Sequence, residues 1–286
     1  MISPRLLRRR IRSVQNTAKI TKAMEMIATA KMRRAQENAI AGRPYNDKIQ
    51  QVISDLAAET SGGGPLHPLL EKRAKINRIA IVHITTDRGL CGGLNANMNR
   101  LTGNFILQQS MPVTLITIGR KGRDFMLRNQ RDLRAEFTKI GDRPKLLDTI
   151  PISHIVLDDY ANHYVDQVYI AYPRFITVMV QNPTMEQLLP IEPTPIPKTE
   201  TTEYIYEPSP QFVLGELLPR YVDMRIYHAI LEAIASEQAA RMVAMRNATE
   251  NANEVINGLT LILNKARQEM ITTDLLDITG GVESLR

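Results

Sequence analysis

The chain has 286 residues, 43% of them hydrophobic and 23% charged, with a net charge of +6; this is enough for one large or two small cored units of ordinary composition. A single cysteine, Cys91, excludes an internal disulfide, and no run of 18 apolar residues is present to span a bilayer. The lack of tryptophan and the 13 methionines point to adaptable helix packing rather than an aromatic-rich ligand pocket.

The charge is concentrated at one end. Residues 1–34 hold ten Lys/Arg and one acid, Glu25, a net of +9 against +6 for the whole chain. Such a block is read either as a solvated face or as the footprint of an anionic partner: nucleic acid, a lipid surface or acidic protein loops. The opening MISPRLLRRRIRS lacks the apolar core of a secretory signal. Beyond Pro4 the next proline is Pro44, and Leu7, Ile11, Val14, Ala18, then Ala28, Met32, Ala35 and Ala39 recur in alternating steps of four and three, interrupted by Thr21 and Glu25. That spacing predicts a helix, with a kink expected near Gly42 and Pro44 and a stop at SGGGP, 61–65.

Residues 76–210 alternate strand and helix signals. INRIAIVHITTD predicts a buried strand, followed by a glycine-rich turn and a helix near 93–109; MPVTLITIG predicts a second strand; DDYANHYVD marks a helix end; QVYIAYPRFITVMVQ holds two more strands. This order predicts an α/β domain with a partly parallel sheet. Prolines at 190, 193, 195, 197, 208 and 210 mark its exit. From Arg220 to Thr279 there is no proline, and Met242, Met245, Thr249, Ala252, Ile256, Leu259, Leu263, Ala266 and Met270 alternate by three and four. Such a helix could reach roughly 90 Å, and its spacing is that of a coiled coil. The expected organisation is an N-terminal helix over 1–60, an α/β domain over 76–210 and a C-terminal helix over 211–286: a helical hairpin with the domain inserted between its arms.

Candidate chemistry is sparse. DRGLCGGLN, 87–95, follows a strand and opens a helix, but Gly89, Gly92 and Gly93 do not have the G-x-G-x-x-G spacing of a dinucleotide site, so the segment reads as a structural turn. Cys91 lies at a helix N-terminus without a base tied to it by the sequence, although His83 and His154 exist. The five histidines show no metal-ligand spacing; Asp158, Asp159 and His163 read as a helix surface rather than ligands. There is no G-x-x-x-x-G-K-[ST] motif, so any chemistry on ATP would fall to another chain, and no cofactor is expected. The basic arm lacks interleaved aromatics through residue 44, which argues against nucleic acid.

The segments SVQNTAKITKAMEMIATAKMRRAQ (13–36), TTDRGLCGGLN (85–95), TEYIYEP (202–208), SEQAARMVAMRNATENA (236–252) and NKARQEMITTDLLDITGG (264–281) together resemble the gamma chain of F-type ATP synthase. Tyr172-Pro173, before an expected strand at 175–181, departs from the commoner pattern. The resemblance implies an antiparallel coiled coil of the two terminal helices with an inserted Rossmann-like α/β domain. It implies a central rotor shaft that couples proton flow through a membrane c-ring to ATP synthesis or hydrolysis in a ring of three alpha and three beta chains, and that also binds an epsilon chain. It implies no catalytic residue in this chain. By resemblance, Met24 and Arg241 match a pair sensitive for coupling; Arg267, Gln268 and Thr272 match polar contacts to the beta ring; Tyr204 and Glu207 match the foot facing the c-ring. Lys31, Arg33 and Arg34 are expected to face acidic loops of the surrounding sleeve. The expected home is the cytoplasmic side of a bacterial plasma membrane.

Overall fold

A computed structural model describes residues 3–60, 67–192 and 206–284, without the side chains of 38–43, 45–47, 50, 57–60 and 280–284. The long terminal helices are α1, Pro4–Thr60, and α5, Pro210–Ser284. The first runs through Gly42 and Pro44 as one helix. The second begins one residue ahead of the expected 211, with Pro210 at its first position, where no intrahelical N–H is needed; it also continues through Pro219.

The residues divide into two compact units, 1–28 with 241–286, and 29–240. The second unit holds a five-stranded sheet in the order β3-β2-β1-β4-β5. Its strands are β1, Ile79–Ile84; β2, Val113–Ile118; β3, Asp132–Phe137; β4, Gln167–Phe175; and β5, Gln181–Leu189. The first four are parallel neighbours, and β5 closes one edge antiparallel to β4. The helices between them are α2, Leu94–Gln108; α3, Arg120–Arg128; and α4, Leu146–Ala161. The segment 175–181, expected as a strand of its own, is the end of β4, a hairpin tip and the first residue of β5, and Tyr172 and Pro173 lie within β4. The α3 helix and the β3 strand were not anticipated. Both are rich in charge, α3 mostly basic and β3 alternating in sign, and β3 is an edge strand with every second residue exposed, so neither has the apolar run of a central element.

All six residues of β1 are buried because both faces of the sheet are covered. Ala80, Val82 and Ile84 join Ile116, Ile118 and Ile170 in a core completed by Ile152, Val156 and Tyr160 of α4, Ile53 and Leu56 of α1, and Leu218 to Ala235 of α5. Ile79, Ile81 and Leu115 face the other way, onto Met98 and Ile106 of α2 and Met126 of α3. His83 shares that second face. It is fully buried between Asn99 Oδ1, 2.9 Å, and Thr102 Oγ1, 3.0 Å, and burial holds its pKa down at about 4, so the ring is neutral near pH 7. The approach of α3 depends on Gly122, where a Cβ would stand 2.7 Å from the His83 ring. Asp159 is not the surface residue expected of it: it is buried and accepts a two-nitrogen contact from Arg134.

In the first unit, α1 up to Ala28 pairs with α5 from Arg241 onward. Leu7, Ala18, Thr21, Glu25 and Ala28 are buried on α1, and Met242, Met245 and Ala252 on α5. The small residues let the two backbones approach, and the spacing of four and three keeps one seam facing the partner. Thr21 and Glu25, which break the apolar stripe, are both partnered there. The hydroxyls of Thr21 and Thr249 meet at 2.7 Å. Glu25 accepts from Lys22 Nζ at 2.9 Å and from Arg246 Nε at 3.2 Å.

Candidate functional site

The informative surfaces lie on the two long helices. With Thr21 opposite Thr249, an antiparallel register puts Pro4, where α1 starts, level with Ala266. Burial follows this register. Ile256, Leu259, Leu263 and Ala266 are half-buried, and from Arg267 to Thr279 every residue is exposed. Among the described residues of its unit, the last stretch of α5 therefore has no helix beside it, yet it carries Met270, Ile271, Leu275, Leu276 and Ile278, each roughly half or more exposed. A solvent-facing helix surface this apolar marks a contact with another chain.

Arg267, Gln268 and Thr272 sit at the start of this overhang, all exposed. Gln268 and Thr272 are one turn apart on one face, and the Thr272 hydroxyl donates to the Gln268 carbonyl at 3.0 Å. Met24 and Arg241 are both half-buried. The register does not bring them level: Met24 stands opposite Arg246, five residues or about 7.5 Å along the axis from Arg241. Glu207, ahead of α5, is exposed, and Tyr204 lies outside the described residues.

The basic arm divides into two. Arg5, Arg8, Arg9, Arg10 and Arg12 are exposed on the first turns of α1. Further along, Arg34 is exposed and Arg33 forms a loose pair with Glu37 at 3.4 Å. Lys31 differs: its ammonium donates to Asp142 Oδ2 at 2.5 Å.

Glu25, Thr21 and Arg246 were not singled out from the sequence as a group. The signal for them was the interruption of the apolar stripe at Thr21 and Glu25. Glu25 is only 6% exposed. Its pKa lies below the ordinary glutamate value, chiefly because Lys22 donates to it, then against the effect of burial because Arg246 does too.

The glycine-rich turn before α2 holds Cys91 buried, with Asn95 Nδ2 3.2 Å from its sulfur. Asn95 also donates to Thr86 Oγ1 and accepts from Thr86 N, so the turn is tied to itself. Among the described residues no cluster of His, Cys, Asp and Glu is arranged to hold a metal ion, and no helix is long and apolar enough to cross a membrane.

A pair of long helices carrying an α/β domain, with an apolar overhang on one of them, defines a class whose relatives can be named. A family model described as ATP synthase matches residues 3–285. The ATP synthase gamma chain of Dehalococcoides mccartyi strain CBDB1 is 58% identical over 285 residues, covering 100% of both chains. That of Herpetosiphon aurantiacus is 45% identical, covering 100% of this chain and 99% of the relative. Among solved structures, a chain of the Tetrahymena thermophila mitochondrial ATP synthase central stalk and c-ring superposes with a TM-score of 0.63 at 26% identity, over 80% of this chain and 99% of that one. A chain of the Euglena gracilis mitochondrial enzyme, at 20% identity and a TM-score of 0.70 over 99% and 94% of the two chains, shares the fold. The chain belongs to the ATP synthase family, among its gamma chains.

Proposed function

We propose that this chain is the central rotor shaft of an F-type ATP synthase, a non-catalytic subunit that couples proton flow through a membrane c-ring to ATP synthesis or hydrolysis in a ring of three alpha and three beta chains. The observation that carries this reading is the overhang of α5, where the chain leaves Met270, Ile271, Leu275, Leu276 and Ile278 uncovered. An apolar sleeve formed by other chains would cover them, and one asymmetric shaft would present a different face to each of three equivalent partners in turn. The exposed arginines of α1 would be drawn to acidic loops on those partners. Electrostatic attraction acts across several ångströms without interdigitation, so it would steer the shaft without locking it.

In this reading Arg267, Gln268 and Thr272 make polar contacts with the beta chains as the shaft turns, and Met24 and Arg241 lie where coupling is sensitive to substitution. Arg33 and Arg34 face the sleeve. Lys31 takes the same role in this reading, and it also has an intramolecular partner in Asp142. Tyr204 and Glu207 belong to the foot that meets the c-ring, where an epsilon chain also binds. The chain acts without a cofactor and without nucleic acid, as a peripheral protein on the cytoplasmic side of a bacterial plasma membrane, held there through the complex.

The test is the composition of the native assembly, gently released from membranes and measured by mass. One copy beside three each of two larger chains, with ATPase activity, is expected. A free monomer, or a homodimer retained on DNA, overturns the reading.

A further inference from the structure

The loop between β3 and α4, residues 138–145, is held from both sides by carboxylates. On the sheet side, Asp87 follows the end of β1. Its Oδ1 accepts the backbone N–H of Arg120 at the start of α3, 3.0 Å, and its Oδ2 accepts the backbone N–H of Lys139, 2.8 Å. On the helix side, Asp142 accepts from Lys31 Nζ of α1 at 2.5 Å and from Gln238 Nε2 of α5 at 3.4 Å. The Tyr227 hydroxyl of α5 donates to the Pro144 carbonyl at 3.3 Å. One short loop is thus bonded to the carboxyl end of the sheet and to both long helices. The turn that presents Asp142 depends on backbone with positive φ at Lys139, 63°, and Gly141, 84°.

Packing seats part of this loop, since Ile140 lies against the core and Pro144 is buried. A cavity of about 50 Å³ lies beneath it, lined by Ile140 and Gly141 from the loop and by Ile230 and Ile234 from α5. The apolar core that joins sheet to helices resists separation, but burial is non-directional. Hydrogen bonds to carboxylates are directional and fix the angle of what they join.

We propose that residues 138–145 form a clasp that fixes the α/β domain to both long helices, with Asp142 and Asp87 as positioning residues for the transmission of torque between them. The proposal rests on the rotor-shaft reading. It assigns a role to the aspartate of the DRG segment, which otherwise reads only as part of a turn. Both Lys31 and Asp142 are partly exposed, so their pair contributes little to folding stability. Its effect belongs in the fidelity of coupling.

The experiment uses the complete complex in proteoliposomes, with ATP hydrolysis and proton pumping measured on the same preparation. For Asp142→Asn, hydrolysis is expected within about twofold of wild type and protons pumped per ATP lower by about threefold, the size of a coupling change made away from the ligands. Asp142→Glu, which keeps the charge, is expected to restore the ratio. Asp87→Asn is expected to act in the same direction. An unchanged pumping ratio in Asp142→Asn overturns the clasp. So does an equal fall in both activities with a lowered melting temperature, since that is a purely structural effect. A wild-type complex that hydrolyses ATP without pumping would instead count against the rotor reading, so the two failures are distinct.

Discussion

Thr21 and Thr249, 228 positions apart in sequence, bring their hydroxyls to 2.7 Å across the seam of α1 and α5. Each also lies within bonding distance of a carbonyl of its own helix, Ala18 at 3.1 Å and Met245 at 2.8 Å respectively, so whichever hydroxyl donates across the seam gives up its carbonyl, since the two protons serve two of the three contacts. Replacing one threonine by valine removes the cross-seam bond but leaves the other hydroxyl its local acceptor. The expected cost is about 1 kcal/mol for either single substitution. The double substitution Thr21→Val with Thr249→Val should cost less than the sum, because no hydroxyl remains in the seam. Urea unfolding of the two single variants and the double, taken as a cycle, gives the interaction directly; strict additivity would show that the two hydroxyls do not bond.

Glu25 makes the same seam sensitive to acid. Its folded pKa is below its unfolded value because Lys22 and Arg246 donate to the carboxylate. The folded chain therefore binds that proton less tightly than the unfolded chain, and the stabilisation is complete above the unfolded value, about pH 4.3, and lost as pH falls through the lower folded value. His83 acts earlier: burial holds it at about 4, so its contribution begins to fade below about pH 6.5. Glu25→Gln should leave the His83 slope intact and flatten the steeper loss below about pH 4.3. Thermal melts from neutral pH downward separate the two; identical acid limbs in wild type and variant would remove Glu25 as the cause.

Much of this was legible in the residues. The seam could be read because a spacing of three and four has few other physical uses, and β1 because a doubly covered strand is apolar throughout. The start of α5 could be placed within one residue because the prolines at 208 and 210 end the preceding segment and a proline is accommodated at a helix's first position. Both α3 and β3 were missed because a short helix with a basic face and a half-exposed edge strand have weak patterns. The partner of Lys31 could not be read at all. Asp142 is 111 positions away, and nothing local to either residue signals the other. For the same reason the charge block looked uniformly available to partners, while the structure divides it into the exposed arginines of the first turns and residues engaged within the chain, Lys22 with Glu25, Lys31 with Asp142 and Arg33 with Glu37.

Gly122 shows how little space separates α3 from β1. A methyl group there would stand 2.7 Å from both the His83 ring and Thr85 Oγ1, and the Gly122 N–H donates to that same hydroxyl at 2.8 Å. Neither neighbour is the end of a flexible chain, and His83 is held by Asn99 and Thr102. Gly122→Ala is expected to destabilise the domain by about 1–3 kcal/mol, the usual cost of overpacking, despite the higher helix propensity of alanine. Chemical denaturation reads this; a neutral or stabilising effect would mean that α3 shifts outward freely.

Gln268 and Thr272 offer the cleanest separation of folding from function. Both are exposed on the overhang of α5, beyond the last half-buried residue, Ala266. Among the described residues the Thr272 hydroxyl bonds its own helix alone, at 3.0 Å to the Gln268 carbonyl. Replacing Gln268 by Leu and Thr272 by Val removes polar groups without opening a cavity, so the free chain should keep its stability within about 0.5 kcal/mol. If these side chains meet the beta chains during rotation, the assembled complex should lose ATP turnover by about tenfold, the equivalent of one charged or two neutral hydrogen bonds. Steady-state hydrolysis of the reconstituted complex, beside a melt of the isolated chain, gives both numbers. Wild-type turnover in the double variant would take these two residues out of the rotor contact and leave the apolar side chains of the overhang as the surface that the sleeve reads.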